Sequence, residues 1–167
     1  MKATLIVEGK EFPIEINDPK LQKLVKPTNK TGYELVGYGH TYSFVNSYGE
    51  VMMLDHEDDD DDNRYRDANY YSDRTIAENN ARADKLMRQL RRFAVTHREK
   101  DVDWRNGTTY KYVIRFGYGD NQPFIDTEVL GRDFGVIAFD SRESAQLAGE
   151  TFHDELIWYF TEYKDSL

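Results

Sequence analysis

The chain has 167 residues, contains no cysteine and carries 31 acidic against 22 basic side chains, so its formal net charge is −9. The lack of cysteine excludes disulfides, thiolate zinc sites and thiol catalysis. The negative charge opposes long-range attraction to nucleic acid and anionic membranes, so we expect protein partners, especially basic ones. The first apolar run ends early, at Glu8, and we therefore expect no signal peptide, no membrane span there and a cytoplasmic location.

The N-terminal segment has the pattern of a β-hairpin. Residues 3–8 and 12–16 are strand-like and flank Gly9, which supplies the positive φ that a tight turn requires. Beyond this hairpin, we expect one or two helical turns over residues 19–25 and a polar linker over residues 26–32.

The next stretch combines strands with one long helix. Strand-like runs cover residues 42–46, 50–54 and 65–71, with an acidic loop between the second and the third. From residue 73 to residue 97 the apolar positions recur at helical spacing, which predicts an amphipathic helix.

The last stretch is also predicted to contain strands followed by a helix. Strand-like runs cover residues 110–116, 123–129 and 134–139. Asp140, followed three positions later by Glu143, has the spacing of a capping box and predicts the start of a second helix. That helix is expected to continue without a break to the aromatic C-terminal segment.

An internal repeat relates these two stretches at a spacing of 68 residues, from Gly39 to Gly107. Because the recurring residues are mainly aromatic, small or glycine, they predict a duplicated packing unit and not a duplicated active site. We therefore predict an α+β fold with an N-terminal β-hairpin and linker over residues 1–32 and two related repeats over 33–100 and 101–167, together forming one compact domain in which two main helices pack on antiparallel sheet. The residues that recur unchanged are Gly39, Thr41, Tyr42, Val45, Gly49, Arg64, Arg74 and Ala77, which correspond to Gly107, Thr109, Tyr110, Val113, Gly117, Arg132, Arg142 and Ala145.

The densest functional candidate is an acidic run in which seven of eight side chains are carboxylates. Such a concentration of like charge resists burial, and an extended, solvated loop is expected. Three functional interpretations stay open beside it: a calcium site, which lacks the usual glycine turn, a mimic of a phosphate backbone that enters a basic groove, and pairing with the protein's own basic helix. The carboxylates of the run are Asp55, Glu57, Asp58, Asp59, Asp60, Asp61 and Asp62.

A basic cluster lies toward the end of the first long helix. Its main members are Arg88, Arg91, Arg92 and Arg98. Cations near a helix C-terminus offset the partial negative charge there, which explains the cluster without any ligand. Arginines four positions apart also share a face that can grip phosphates, although the net charge of the chain opposes direct binding of nucleic acid.

Enzyme motifs are missing from the sequence. The histidines at positions 40, 56, 97 and 153 have no paired metal-ligand spacing, and there is no glycine-rich phosphate loop or nucleophile elbow. We expect no catalytic residue, no cofactor and no metal.

Three segments carry a resemblance to a known group. "TYSFVNSYGEV", "NYYSDRTIAENNARADKLMRQLRRFAVTHR" and "GVIAFDSRESAQLAGETFHDELIWYF" resemble small accessory proteins from phages and prophages of Gram-positive bacteria. The matching positions are Asn69, Tyr70 and Tyr71 in the first half and Phe139, Ser141 and Ala145 in the second. The resemblance extends over about three quarters of the chain, and its motifs are structural, so no catalytic residue is carried over.

The resemblance implies a role in an infected host. Accessory phage proteins of this kind often bind a host protein, and defence nucleases such as CRISPR effectors have basic channels that an acidic protein can occlude. We expect the acidic run to meet lysines and arginines of such a partner, with Tyr65, Tyr70 and Tyr71 supplying desolvated contacts. The alternatives are a nucleic-acid-binding accessory protein that uses the arginine cluster, and a self-assembling virion protein, which would be a homo-oligomer.

Overall fold

The computed structural model describes residues 2–7, 10–17 and 30–165, and its fold is α+β, as predicted. The turn at Gly9, the helical turns expected over 19–25 and most of the linker expected over 26–32 lie outside the described residues. Within them, the strands are β1 (Lys2–Val7), β2 (Lys10–Glu15), β3 (Thr41–Val45), β4 (Val51–Asp55), β5 (Lys111–Gly117), β6 (Gln122–Glu128) and β7 (Ala138–Phe139), and the helices are α1 (Asp59–Arg66), α2 (Arg74–Thr96), α3 (Arg142–Thr151) and α4 (His153–Thr161).

The chain divides into two compact units. The first comprises Met1–Ala81 with Lys164–Leu167, and the second comprises Arg82–Tyr163. The division falls inside α2, so this helix contributes its first two turns to one unit and the rest to the other.

Two antiparallel strand pairs lie in the first unit, β1 with β2 and β3 with β4. Strands β3 and β4 match the predicted runs within one residue at each end. A small buried cluster of Tyr71, Ile76 and Ala77, with Tyr33, Val45 and Val51 packed against it, ties the β3–β4 pair to the start of α2.

The predicted third strand over 65–71 is wrong. Helix α1 continues to Arg66, and Ala68 then takes a left-handed conformation with φ of 56°, which turns the chain before it can extend. Of the predicted strand only Tyr71 pairs, through an isolated antiparallel bridge to Ser43. The strand order is therefore β4, β3 and then Tyr71.

In the second unit, β5 lies between β6 and β7 in one antiparallel sheet. Strands β5 and β6 lie within one residue of the predicted runs, whereas the strand predicted over 134–139 is reduced to two residues. The order β6, β5, β7 parallels that of the first unit; the duplication itself stays a prediction. The core of this unit consists of Leu86, Leu90, Ala94, Phe139, Ala145, Ala148 and Leu156.

The helix boundaries agree with the sequence for α2 and differ after it. The predicted range 73–97 is confirmed within one residue at each end. The second predicted helix is interrupted at Phe152, whose φ of −109° and ψ of 20° end α3 before α4 begins. Its N-cap is Ser141, whose hydroxyl accepts from the backbone N–H of Ser144 at 3.1 Å, and not Asp140.

Candidate partner-binding surface

The acidic run is helical over most of its length, so the expectation of an extended loop is wrong. Asp58 is the N-cap of α1, and its side chain accepts hydrogen bonds from the backbone N–H groups of Asp60 at 2.9 Å and Asp61 at 3.3 Å. The Asp61 side chain in turn accepts from the backbone N–H of Asp58 at 3.1 Å, which completes a capping box. Carboxylates in the first turn also face the partial positive charge of the helix N-terminus, and this attraction offsets their mutual repulsion.

Asp61 is the only buried residue of the run, all of which the structure describes. Its carboxylate accepts hydrogen bonds from the hydroxyl of Tyr42, the backbone N–H of Glu57 at 2.7 Å and the guanidinium of Arg64 at 2.8 Å. Burial by itself raises the pKa of Asp61, but these donors and the Arg64 charge outweigh it and lower the pKa to about 2. Asp61 therefore anchors α1 to the fold and is not available to a partner, contrary to the prediction.

Two aromatic residues of β3 complete the contacts around Asp61 and Arg64. Arg64 donates to the Tyr42 hydroxyl at 2.8 Å and its guanidinium lies 4.6 Å from the centre of the Phe44 ring. Burial raises the pKa of Tyr42 to about 12. Tyr42 and Phe44 are in β3, so Arg64 and Asp61 hold α1 against this strand.

The remaining carboxylates form what we call the acidic surface. All of them are exposed, and three have local partners: Asp58 caps α1, Asp55 accepts from the Thr41 hydroxyl at 2.7 Å, and Asp62 lies 3.8 Å from the imidazole of His56. No arginine or lysine side chain lies within 4.0 Å of these six carboxylates among the described residues. The members of the acidic surface are Asp55, Glu57, Asp58, Asp59, Asp60 and Asp62.

The three tyrosines predicted to contact a partner do not share one role. Tyr65 is 42% exposed, whereas Tyr70 is 1% and Tyr71 is 7% exposed. Tyr70 stacks on Tyr42 with ring centres 3.9 Å apart, and Tyr71 packs beside Tyr33 at 5.3 Å. The prediction of a contact role is wrong for Tyr70 and Tyr71, because aromatic side chains of this size fill the core. Tyr65 alone of the three can contact a partner.

The arginine cluster divides in a similar way. Arg98 lies beyond the end of α2 and pairs with Asp101 at 2.8 Å. Arg88, Arg91 and Arg92 are exposed on one side of α2, and within the part of the chain that the structure describes none of them has an acidic partner within 4.0 Å. We call these three side chains the arginine face.

Two other features of the surface were not predicted from the sequence. The outer strand β4 exposes three large apolar side chains, Met52, Met53 and Leu54. The run "VMML" predicts a strand, but its apolar residues do not alternate with polar ones, so nothing in it indicates which side stays uncovered.

The second missed feature is a surface cleft of about 380 Å³ in the second unit. On one wall the guanidinium of Arg82 lies 3.9 Å from the centre of the Trp158 ring and pairs with Glu155 at 2.8 Å. His153, opposite, contacts Gln122 at 3.1 Å. Arg82, Glu155 and His153 already have partners, and the residues that line the cleft do not assemble a nucleophile with a base.

The described ranges contain neither a metal-binding cluster nor a membrane-spanning helix. Between residues 30 and 165, and in the two N-terminal strands, no three histidine, aspartate or glutamate side chains are grouped so that they could hold a metal ion. In the same residues no helix has both the length and the apolar composition that crossing a bilayer demands.

Comparison with protein-family models, with curated proteins and with solved structures found no match to this chain.

Proposed function

We propose that this protein binds a partner with a basic nucleic-acid-binding surface and occludes it, as a phage-encoded inhibitor of a host defence nuclease. The observation that carries the proposal is the acidic surface, which places six exposed carboxylates on and beside one short helix. The resemblance to phage accessory proteins supports the infected host as the setting.

Rigidity supports this function for the acidic surface. The Asp61, Tyr42 and Arg64 contacts fix α1 before any partner arrives, so little conformational freedom is lost when its carboxylates meet cations. A preorganised cluster of negative charge also accelerates encounter with a basic groove and makes binding strongly dependent on salt.

Tyr65 provides the apolar part of such a contact. It lies on α1 between the acidic first turn and the buried Tyr70, against which its ring packs edge-to-face at 5.5 Å. Half-exposed tyrosines are common energetic anchors of interfaces, because a large apolar ring carries a polar tip.

The test is inhibition of purified RNA-guided nucleases from Gram-positive hosts, measured as cleavage of a target DNA. The variant Asp59→Asn, Asp60→Asn, Asp62→Asn removes half of the acidic surface and leaves the buried Asp61 intact. The control variant Asp120→Asn, Glu143→Gln, Glu150→Gln removes the same charge from exposed positions of the second unit. We expect the first variant to lose inhibition by about tenfold or more and the control to keep it.

Equal inhibition by both variants would contradict the proposal, because the acidic surface would then contribute no more than overall charge. Inhibition that is insensitive to salt would contradict it as well.

The arginine face favours a second function, the binding of nucleic acid. Arg88 and Arg92 lie one helical turn apart, are exposed, and are free of ion pairs within the described residues, so they can grip phosphates without first breaking a contact. A mobility shift with DNA and RNA tests this function. A salt-sensitive complex that disappears in the Arg88→Ala, Arg92→Ala variant would support it, and no complex at low salt would contradict it.

A further inference from the structure

The two edges of the β3–β4 pair differ in whether their outward backbone groups have hydrogen-bond partners. On the β3 side, Ser43 and Tyr71 exchange two backbone hydrogen bonds of 2.8 Å. The carboxamide of Asn69 then takes the place of a further strand residue, since it accepts from the backbone N–H of Val45 at 2.8 Å and donates to its carbonyl oxygen at 2.8 Å. The β3 edge is therefore closed by backbone and side-chain partners.

The β4 edge is open among the residues that the structure describes. The backbone N–H of His56 donates to the carbonyl oxygen of His40, and that of Asn46 donates to the carbonyl oxygen of Glu50. The residue pairs at the two ends of the ladder, 40 with 56 and 46 with 50, are therefore hydrogen-bonded. Because bonded and non-bonded pairs alternate in an antiparallel ladder, Met52 and Leu54 direct their N–H and C=O groups at β3.

It follows that Val51, Met53 and Asp55 direct their backbone groups away from β3. Among the described residues β4 pairs with β3 alone, and the structure gives these three outward N–H groups no partner.

Strand β4 lacks the residues that usually protect an outer strand from pairing with another strand. Outer strands usually carry proline or charge that prevents another strand from pairing with them. Strands β2 and β6 follow the rule, with Pro13 in one and Pro123, Asp126 and Glu128 in the other. Strand β4 has no proline and no charge before Asp55, and Met52, Met53 and Leu54 are 45%, 49% and 43% exposed.

The charge around this edge is mainly negative. Residues 50–62 contain eight carboxylates and no lysine or arginine. Of the arginines nearby, Arg64 pairs with Asp61, and Arg74 pairs with Glu78 and also lies 3.6 Å from the sulfur of Met53. Arg66 donates to the side chain of Asn63 at 2.7 Å and has no carboxylate partner among the described residues. A second copy of the chain would bring the same carboxylates to its own β4, so charge opposes pairing of two copies and favours a basic strand.

We propose that β4 is a docking edge for an extended segment of a partner protein, in which apolar residues alternate with lysine or arginine. The segment pairs with the backbone of Val51, Met53 and Asp55. Because side chains alternate across a strand, its apolar residues lie beside Met52 and Leu54 on one face, and its cations lie on the other face, beside Met53 and Asp55. The proposal rests on the proposed function, because it describes how the basic partner is held.

The probe is a short synthetic peptide in which lysine alternates with valine, added to the full-length, isotope-labelled protein. Amide hydrogen exchange is followed residue by residue. We expect exchange at Val51, Met53 and Asp55 to slow by about tenfold or more, because these amides gain acceptors, with little change at Met52 and Leu54, which already have them.

Two control peptides separate backbone pairing from other kinds of binding. One has its pairing amides N-methylated, and the other has glutamate in place of lysine. We expect neither to protect the three amides. Protection by the methylated peptide, or none by the lysine peptide, would overturn the proposal. So would protection of the same amides without peptide in a dimer, because the occupant would then be a second copy.

A variant of the edge completes the test. Met53→Pro removes an N–H that bonds to nothing in the fold, so the chain keeps its ladder while a docking strand loses one donor. Met53→Ala is the matched control, and circular dichroism checks that both fold. We expect the proline variant to bind the lysine peptide about tenfold more weakly than the alanine variant, and equal binding would overturn the proposal.

Inhibition by the two sets of variants distinguishes failure of the acidic surface from failure of the docking edge. If neutral α1 variants stop inhibiting the nuclease while Met53→Pro inhibits normally, the acidic surface acts without strand docking. If Met53→Pro stops inhibition and the α1 variants do not, the docking edge acts and the acidic surface does not.

Discussion

The hydroxyl of Tyr42 in β3 donates a hydrogen bond to the carboxylate of Asp61 in α1, and both side chains are buried. This contact divides the acidic run by function. Asp61 is buried and holds the helix against β3, and the six other carboxylates are exposed, although Asp58 also caps the helix.

The first prediction concerns Asp61→Asn. An asparagine carboxamide is uncharged and has one acceptor oxygen where the carboxylate has two. It therefore cannot accept from the Tyr42 hydroxyl and Arg64 on one side and from the backbone N–H groups of Glu57 and Asp58 on the other. We expect the free energy of unfolding to fall by about 2–3 kcal/mol, against about 0.5 kcal/mol for the exposed neighbour in Asp60→Asn. Urea unfolding of both variants measures the difference, and equal losses would show that the network adds nothing to stability.

The second prediction concerns stability in acid. The pKa of Asp61 is lowered to about 2, and that of Glu34 is lowered to about 2 chiefly by the Ser72 hydroxyl and the Thr31 backbone N–H. Because both carboxylates bind protons more weakly in the folded state, their contribution is complete above about pH 5 and is lost as the pH falls toward 2. For Asp61 the loss is about 2 kcal/mol.

Denaturant unfolding at a series of pH values tests this prediction. The wild type is expected to lose stability steeply between about pH 4.5 and pH 2, and Asp61→Asn is expected to lose less over the same interval. Parallel curves for the two proteins would contradict the assignment of a low pKa to Asp61.

The third prediction separates two neighbouring tyrosines. Tyr70→Ala removes a buried ring that stacks on Tyr42, and we expect a loss of about 3–5 kcal/mol in the free energy of unfolding. Tyr65→Ala removes a half-exposed ring and is expected to cost about 1 kcal/mol, with its main effect on partner binding. Thermal unfolding with a binding assay distinguishes them, and a stable Tyr70→Ala variant that fails to bind would reverse the assignment.

Much of the fold was predictable because local patterns dominate it. Helix α2 follows from the spacing of Ile76, Ala83 and Leu90, and β5 and β6 follow from their composition and the turn between them. The third strands were predicted too long, because each consists of one or two residues whose pairing depends on a distant partner, as with Tyr71 and Ser43. No local pattern in the sequence encodes such a pairing.

The candidate site was predictable only in part, and charge explains why. Counting like charges indicates repulsion, but Asp58 and Asp61 satisfy the first N–H groups of a helix, which reverses that expectation. The burial of Tyr70 depends on Tyr42, far away in sequence, and could not be inferred from an aromatic pair alone. The open edge of β4 follows from the strand order, which the sequence does not reveal.

The fourth prediction concerns Gly32. Its φ is +89°, a side-chain Cβ there would lie 2.7 Å from Cγ1 of the buried Ile76, and its carbonyl oxygen accepts from Ser72 N–H at 2.8 Å. We expect Gly32→Ala to lower the free energy of unfolding by about 2 kcal/mol or more, because strain and a clash add. Gly119→Ala, where a Cβ meets nothing within 4 Å, is the control and is expected to be neutral.

The fifth prediction concerns Asp140, which the sequence predicted to cap the second helix, and the adjacent Ser141, which caps it in the structure. Ser141 caps α3, whereas the Asp140 carboxylate accepts hydrogen bonds from the backbone N–H groups of Glu99 at 2.8 Å and Lys100 at 3.1 Å. Ser141→Ala is therefore expected to cost about 1 kcal/mol, the usual effect of losing a cap, and Ser141→Asp to cost little.

Asp140 is expected to behave differently because its two donors are in the loop after α2. Asp140→Ala leaves both N–H groups without an acceptor and is expected to cost about 2 kcal/mol, while Asp140→Asn keeps one carbonyl oxygen and costs about half as much. Hydrogen exchange localises the effects: Asp140→Ala should speed exchange at Glu99 and Lys100, and Ser141→Ala should speed it at Ser144. Faster exchange at Ser144 in Asp140→Ala, with none at Glu99, would return the capping role to Asp140.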